Sequence, residues 1–149
     1  MAFFVDEYQD LHDLIVAGRY SEALTLLGEL DEMSREDKLD KIGSFMDVLL
    51  IHLIKRAEDP RSTRSWEVSI KNAVDMIRRT NRNRKTKNDR FGPDELREVL
   101  EEVWPQAIRR AALEVRDGRY TEEELERLVD RDAILARAMD LITPENQHD

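Results

Sequence analysis

The chain has no cysteine. That excludes disulfides, thiolate metal sites and cysteine nucleophiles, and it agrees with a reducing compartment. Five glycines and four prolines are spread over 149 residues, so few positions interrupt a helix. Long apolar runs are missing too. The longest, Val48 to Ile54, is broken by His52 and falls far short of the roughly 20 residues of a membrane helix. The start, Met1-Ala2-Phe3-Phe4-Val5, has no basic residue and turns acidic at Asp6, unlike a signal peptide. These absences predict a non-membrane, cytoplasmic protein.

Several sites of chemistry are absent as well. There is no glycine-rich phosphate loop, no Walker lysine, no Gly-x-Ser-x-Gly elbow and no His-Glu-x-x-His. Glu145 to His148 has the spacing of a di-iron half-motif, but it follows Pro144 and occurs once, where such bundles use two. No metal, cofactor or catalytic set is expected.

What the chain has is charge, at 38% of its residues, with a surplus of good helix formers. The net charge of −9 is unevenly spread. Residues 1–47 carry 12 acidic and 4 basic side chains; residues 48–93 carry 5 and 12; residues 94–149 carry 16 and 8. A basic middle lies between two acidic flanks, and the overall acidity opposes non-specific DNA binding.

Periodicity predicts an all-α, single-domain bundle (1–149) of about six to seven helices around a central apolar helix near 35–57. Phe4, Tyr8, Leu11 and Ile15 predict a first helix over 4–17, stopped by Gly18. Ser21 would cap a second with Leu24, Leu27 and Leu30 on one stripe. Ser34, with Asp37, would cap the third and central one, which becomes apolar on nearly every side from Met46 onward. Trp66, Ile70, Ala73, Val74 and Ile77 mark a fourth. Residues 81–92 read as a basic loop, whose stretch 81–90 has no apolar residue and buries nothing. Gly92-Pro93 opens a fifth, with a kink or restart at Pro105. Thr121 with Glu124 is a capping box for a sixth, and Ile134 to Ile142 form a seventh. Residues 144–149 read as a polar tail. Gly18-Arg19-Tyr20-Ser21-Glu22 is echoed by Gly118-Arg119-Tyr120-Thr121-Glu122, without the period a helical repeat array requires.

Two polar groups are candidate sites. His52, Lys55, Arg61, Arg64, Ser65 and Trp66 gather where the central helix meets the fourth, and hydroxyls with arginines at a helix start suit an anion or a partner. The ordinary alternative is that Ser62 or Thr63 caps the helix and the arginines pair with nearby acids. An enzyme would have to use His52, Lys55, Arg64 and Ser65 together. In the basic loop, Arg82, Arg84, Lys85, Lys87 and Arg90 form a candidate nucleic-acid or partner site, with Phe91 the nearest aromatic for stacking. A protein partner is expected first, with a homodimer next to it and nucleic acid less favoured.

His52-Leu53-Ile54-Lys55, then Pro60-Arg61-Ser62-Thr63-Arg64-Ser65-Trp66 and Ile70, resembles the bacterial family called domain of unknown function number twenty-nine. Its members carry a His-Leu-Leu-Lys helix, a Pro-Arg-Ser-x-Ser-Trp segment and an isoleucine. Arg56 stands where that family often has Trp, and the basic loop stands where it has a Pro-Ser-Leu turn. The resemblance, over about residues 6–143, implies an all-helical fold and no particular activity.

Overall fold

The computed structural model describes residues 2–59, 61 and 64–143. Pro60, Ser62, Thr63 and the tail from Pro144, with its Glu145–His148 motif, lie outside the described residues, as do the caps expected of Ser62 and Thr63. Six α-helices and no strand are found among them: α1 (Ala2–Val16), α2 (Tyr20–Glu58), α3 (Arg64–Asn81), α4 (Pro93–Glu114), α5 (Glu122–Leu128) and α6 (Arg131–Ile142). None is long and apolar enough to cross a membrane. The fold is an all-α helical bundle. The chain falls into two compact units, residues 1–39 and 40–149, and α2 contributes to both.

The first unit is a helical hairpin. Gly18 ends α1 at φ 75°. The Gly18 N–H donates to the Ile15 carbonyl (3.0 Å) and the Arg19 N–H to Leu14 (2.9 Å), a Schellman stop. The second helix then starts at Tyr20, so Ser21 lies inside it rather than capping it.

The expected break near Ser34 is not there. Helices two and three are one helix of 39 residues. Glu29 to Met33 contains neither glycine nor proline, so adding a hydrogen bond per residue outweighs the gain from a cap. Seven expected helices therefore become six. The stripe of Leu24, Leu27 and Leu30 is also split: Leu30 is buried, while Leu24 and Leu27 are 69% and 48% exposed.

In the second unit, Ile42, Met46, Leu49, Leu50 and Ile54 of α2 are fully buried. Ile77 of α3, Leu100, Trp104 and Ala107 of α4, Leu125 of α5 and Leu135 of α6 complete the core. The residues from Met46 to Lys55 are buried except Val48 and His52, which are one turn apart and leave one side open.

Helix α4 runs through Pro105 without restarting. Pro105 deprives the Glu101 carbonyl of its donor, but both residues are exposed, so water can replace it. Gly92 and Pro93 stand at the N-cap and first helical position. Thr121 and Glu124 form the expected capping box. Asp130 caps α6 through the Ala133 N–H (3.1 Å).

Candidate functional site

The described residues of the segment carrying the family resemblance lie where α2, α3 and the end of α4 meet. Lys55 is buried along its length. Its ammonium lies 4.9 Å above the Trp66 ring and 3.3 Å from Glu114 Oε1. Arg56 donates to both oxygens of Glu67 (3.2 and 3.0 Å), which holds α3 against α2. Trp66 is thus half-buried as a lid on a lysine stem, not an inward-facing core residue.

Asp59 follows the last turn of α2, with a buried carboxylate. Arg61 Nε and Nη2 donate to its two oxygens (2.9 and 2.8 Å), and the Arg61 backbone N–H adds a third bond (3.0 Å). The Arg61 guanidinium, its N–H and then Arg116 hold the Asp59 carboxyl well below the usual carboxylate range. Arg116 reaches the Glu58 carbonyl (3.4 Å) from a turn, Val115–Gly118, in which Arg116, Asp117 and Gly118 all have positive φ. Two non-glycine residues there are strained by about 1–3 kcal/mol each. The contacts to Glu58 and Asp59 help to hold that turn.

Asp59→Asn lowers the melting temperature at pH 7. The folded value lies below the ordinary 3.8, so the ionic stabilisation is complete above about pH 5 and fades as pH falls below that ordinary value. Thermal melts of both proteins at pH 7, 5 and 3 should show the gap narrowing. A gap that stays constant would assign it to packing.

His52 is only half-buried, and its Nδ1 donates to the Val48 carbonyl of its own helix (2.9 Å). Arg64 and Ser65 are exposed in the first turn of α3. Arg61 is engaged with Asp59 and Lys55 with Glu114. Among the described residues no hydrogen bond or ion pair joins His52, Lys55, Arg64 and Ser65. No group of three or more histidine, aspartate or glutamate side chains there could hold a metal.

The basic loop has more order than a stretch without apolar residues predicts. The Asn83 N–H donates to the Asn88 carbonyl (2.8 Å), Lys87 N–H to Asn83 (2.8 Å) and Arg90 N–H to Asn81 (2.6 Å). The cause is the pair that brackets it. Asn81 is buried, accepts from the Phe91 N–H (2.8 Å) and donates to the Phe91 carbonyl (3.1 Å). Phe91 is itself 1% exposed, so it anchors the loop and is not free to stack on a base. Residues 84–90 are all exposed. No ion pair involves Arg82, Arg84, Lys85, Lys87 or Arg90 among the described residues.

Asp47 belongs to neither candidate group and is buried in α2. Its buried carboxylate accepts from Arg110 (2.6 Å) and Gln106 (3.2 Å) through Oδ2, and Oδ1 has no protein partner. Its spacing in the apolar run of α2 was the available signal.

The hairpin is the larger omission. Ten large apolar side chains are exposed in the described residues, and six lie within it: Tyr8, Ile15, Val16, Tyr20, Leu24 and Leu27. An open cleft of about 640 Å³ runs along one side of the hairpin. Asp10, Asp13 and Leu14 of α1, Ala17 and Arg19 of the turn, and Glu22, Thr25, Leu26 and Glu29 of α2 line it. At 3.6 residues per turn, Tyr8 and Ile15 stand on the side of α1 away from that cleft, and Tyr20, Leu24 and Leu27 on the side of α2 away from it. The hairpin has an acidic front and an apolar back. The heptad-like spacing is visible in the sequence, but its exposure to solvent is not.

The sequence model of the family described as "Domain of unknown function DUF29" matches residues 21–131, inside the span the resemblance predicts. No curated protein and no solved structure matches the chain.

Proposed function

The chain belongs to the DUF29 family, and we propose that it is a non-enzymatic helical interaction module that docks a protein partner through the apolar back of its N-terminal hairpin. The single observation carrying this reading is the concentration of exposed large apolar side chains on the hairpin, six of ten within residues 8–27, with all but Val16 on this back. Exposed apolar surface gathered into one face marks an interaction site, whereas scattered side chains do not. The charged corner at Lys55, Asp59 and Trp66 is engaged in its own ion pairs, which supports a structural role for the segment the family shares. The lack of cysteine fits a reducing, cytoplasmic setting, and the family resemblance fits a bacterial cell.

Affinity purification from the native host, with the wild-type chain and Leu24→Glu as parallel baits, tests the reading. A protein recovered reproducibly by the first and lost by the second is the expected result. Identical recoveries would overturn it.

A second reading has the loop cations Arg82, Arg84, Lys85, Lys87 and Arg90 bind a polyanion such as nucleic acid. Their exposure on a loop held by its own hydrogen bonds favours it. Gel shifts at low salt with the wild type and with the four cations between 82 and 87 replaced by alanine decide it. Binding lost on replacement supports this reading, and unchanged binding ends it.

A further inference from the structure

We infer that the apolar back of the hairpin is covered by the same face of a second copy, so that two hairpins close a four-helix bundle. This rests on the docking reading above and names its occupant. Tyr8, Leu11 and Ile15 on α1 fall at i, i+3 and i+7; Tyr20, Leu24 and Leu27 on α2 fall at i, i+4 and i+7. These are the two alternations of a bundle seam, and two adjacent seams on one hairpin match their own copy across a two-fold axis.

Area and charge agree with that occupant. Fully covered, the exposed side chains on this face would bury roughly 600 Å² per copy, the lower end of the ~600–1,000 Å² per partner of a standard specific interface. Residues 1–39 carry ten acidic and three basic side chains, a net charge of −7 that would oppose pairing if it lay at the seam. Four of the ten acidic side chains lie away from the seam, and Asp31, one turn beyond Leu27, stands at its end. Asp10, Asp13, Glu22 and Glu29 line the opposite side. Back-to-back pairing therefore puts the two acidic fronts on the outside, separated by about 20 Å of helix, beyond the ~8 Å screening length of physiological salt. A basic partner would be drawn to the acidic front, not to this face.

Sedimentation of the full chain between about 5 and 200 µM, in 0.15 and 0.5 M salt, is the test. The expected result is twice the 17.5 kDa chain mass at both salts, with Tyr20→Glu and Leu24→Glu falling to the single mass while circular dichroism keeps their helix content. Asp10→Lys, on the front, should leave the doubled mass unchanged. A monomer throughout would overturn the inference, as would a dimer that survives both glutamate variants or dissolves in 0.5 M salt. A wild-type monomer whose host partner is lost with Leu24→Glu would remove the second copy alone. A monomer with identical recoveries would remove the docking reading as well.

Discussion

Trp104→Ala lowers the unfolding free energy by about 3–5 kcal/mol, the usual cost of removing a buried aromatic. Trp104 is 2% exposed in the middle of α4. It joins three helices. Its Nε1–H donates to Glu126 of α5 (2.9 Å to Oε2), and the Arg131 guanidinium at the start of α6 lies 5.8 Å from the ring centre. Removing the ring opens a cavity where α4 meets α5 and α6, and it frees Glu126 and Arg131 to return to water. Trp104→Phe separates the two contributions. It keeps most of the apolar contact and loses the indole N–H, so it should cost about 1–2 kcal/mol. Urea unfolding followed by circular dichroism measures both. Equal losses for Ala and Phe would place the energy in the hydrogen bond and not in the packing.

Leu49→Ala is the second large effect, at about 2–5 kcal/mol. Leu49 is fully buried in the stretch of α2 that the core surrounds. For a chain of this length each kcal/mol moves the melting temperature by about 2–4 °C, so a fall of at least several degrees is expected. Leu113→Ala is the internal control. That leucine is 75% exposed near the end of α4, and its loss should change stability by less than about 0.5 kcal/mol. A shift under one degree for Leu49→Ala would remove α2 from the centre of the second unit.

Much of this fold was legible as pattern. Most apolar residues at helical spacing in α3, α4 and α6 are buried, Trp66 being an exception. Gly18 and Gly118 end their elements at positive φ, and Thr121 makes its capping box. Signals of this kind are local: a cap or a left-handed stop is satisfied within a few residues. Ser34 shows where local signals mislead. A serine followed three residues later by an acid describes a helix start equally well when the helix has already begun, and only a breaker before it would tell the two apart.

The candidate sites were legible as composition but not as geometry. Arginines, hydroxyls and a tryptophan beyond a central helix have the composition of an anion site, yet Arg61 bonds to Asp59 and Lys55 to Glu114, a partner 59 residues away. The basic loop has the composition of a disordered arm, yet Asn81 and Phe91, ten residues apart, hold its base from within the core.

By itself, then, the chain's order of residues determined that it is helical, that cysteine chemistry is excluded, where most helices begin and end, and that residues near Leu49 are interior. These follow from backbone propensity and from the transfer of apolar side chains out of water, both set by nearby residues. Only the tertiary structure decided which apolar stripes find cover. Leu49 and Leu24 look alike as members of an i, i+3, i+4 pattern, but one is fully buried within its unit and the other faces solvent on a two-helix hairpin. An amphipathic stripe records that a surface needs covering, while the identity of the covering group depends on residues far away in the chain or on another chain.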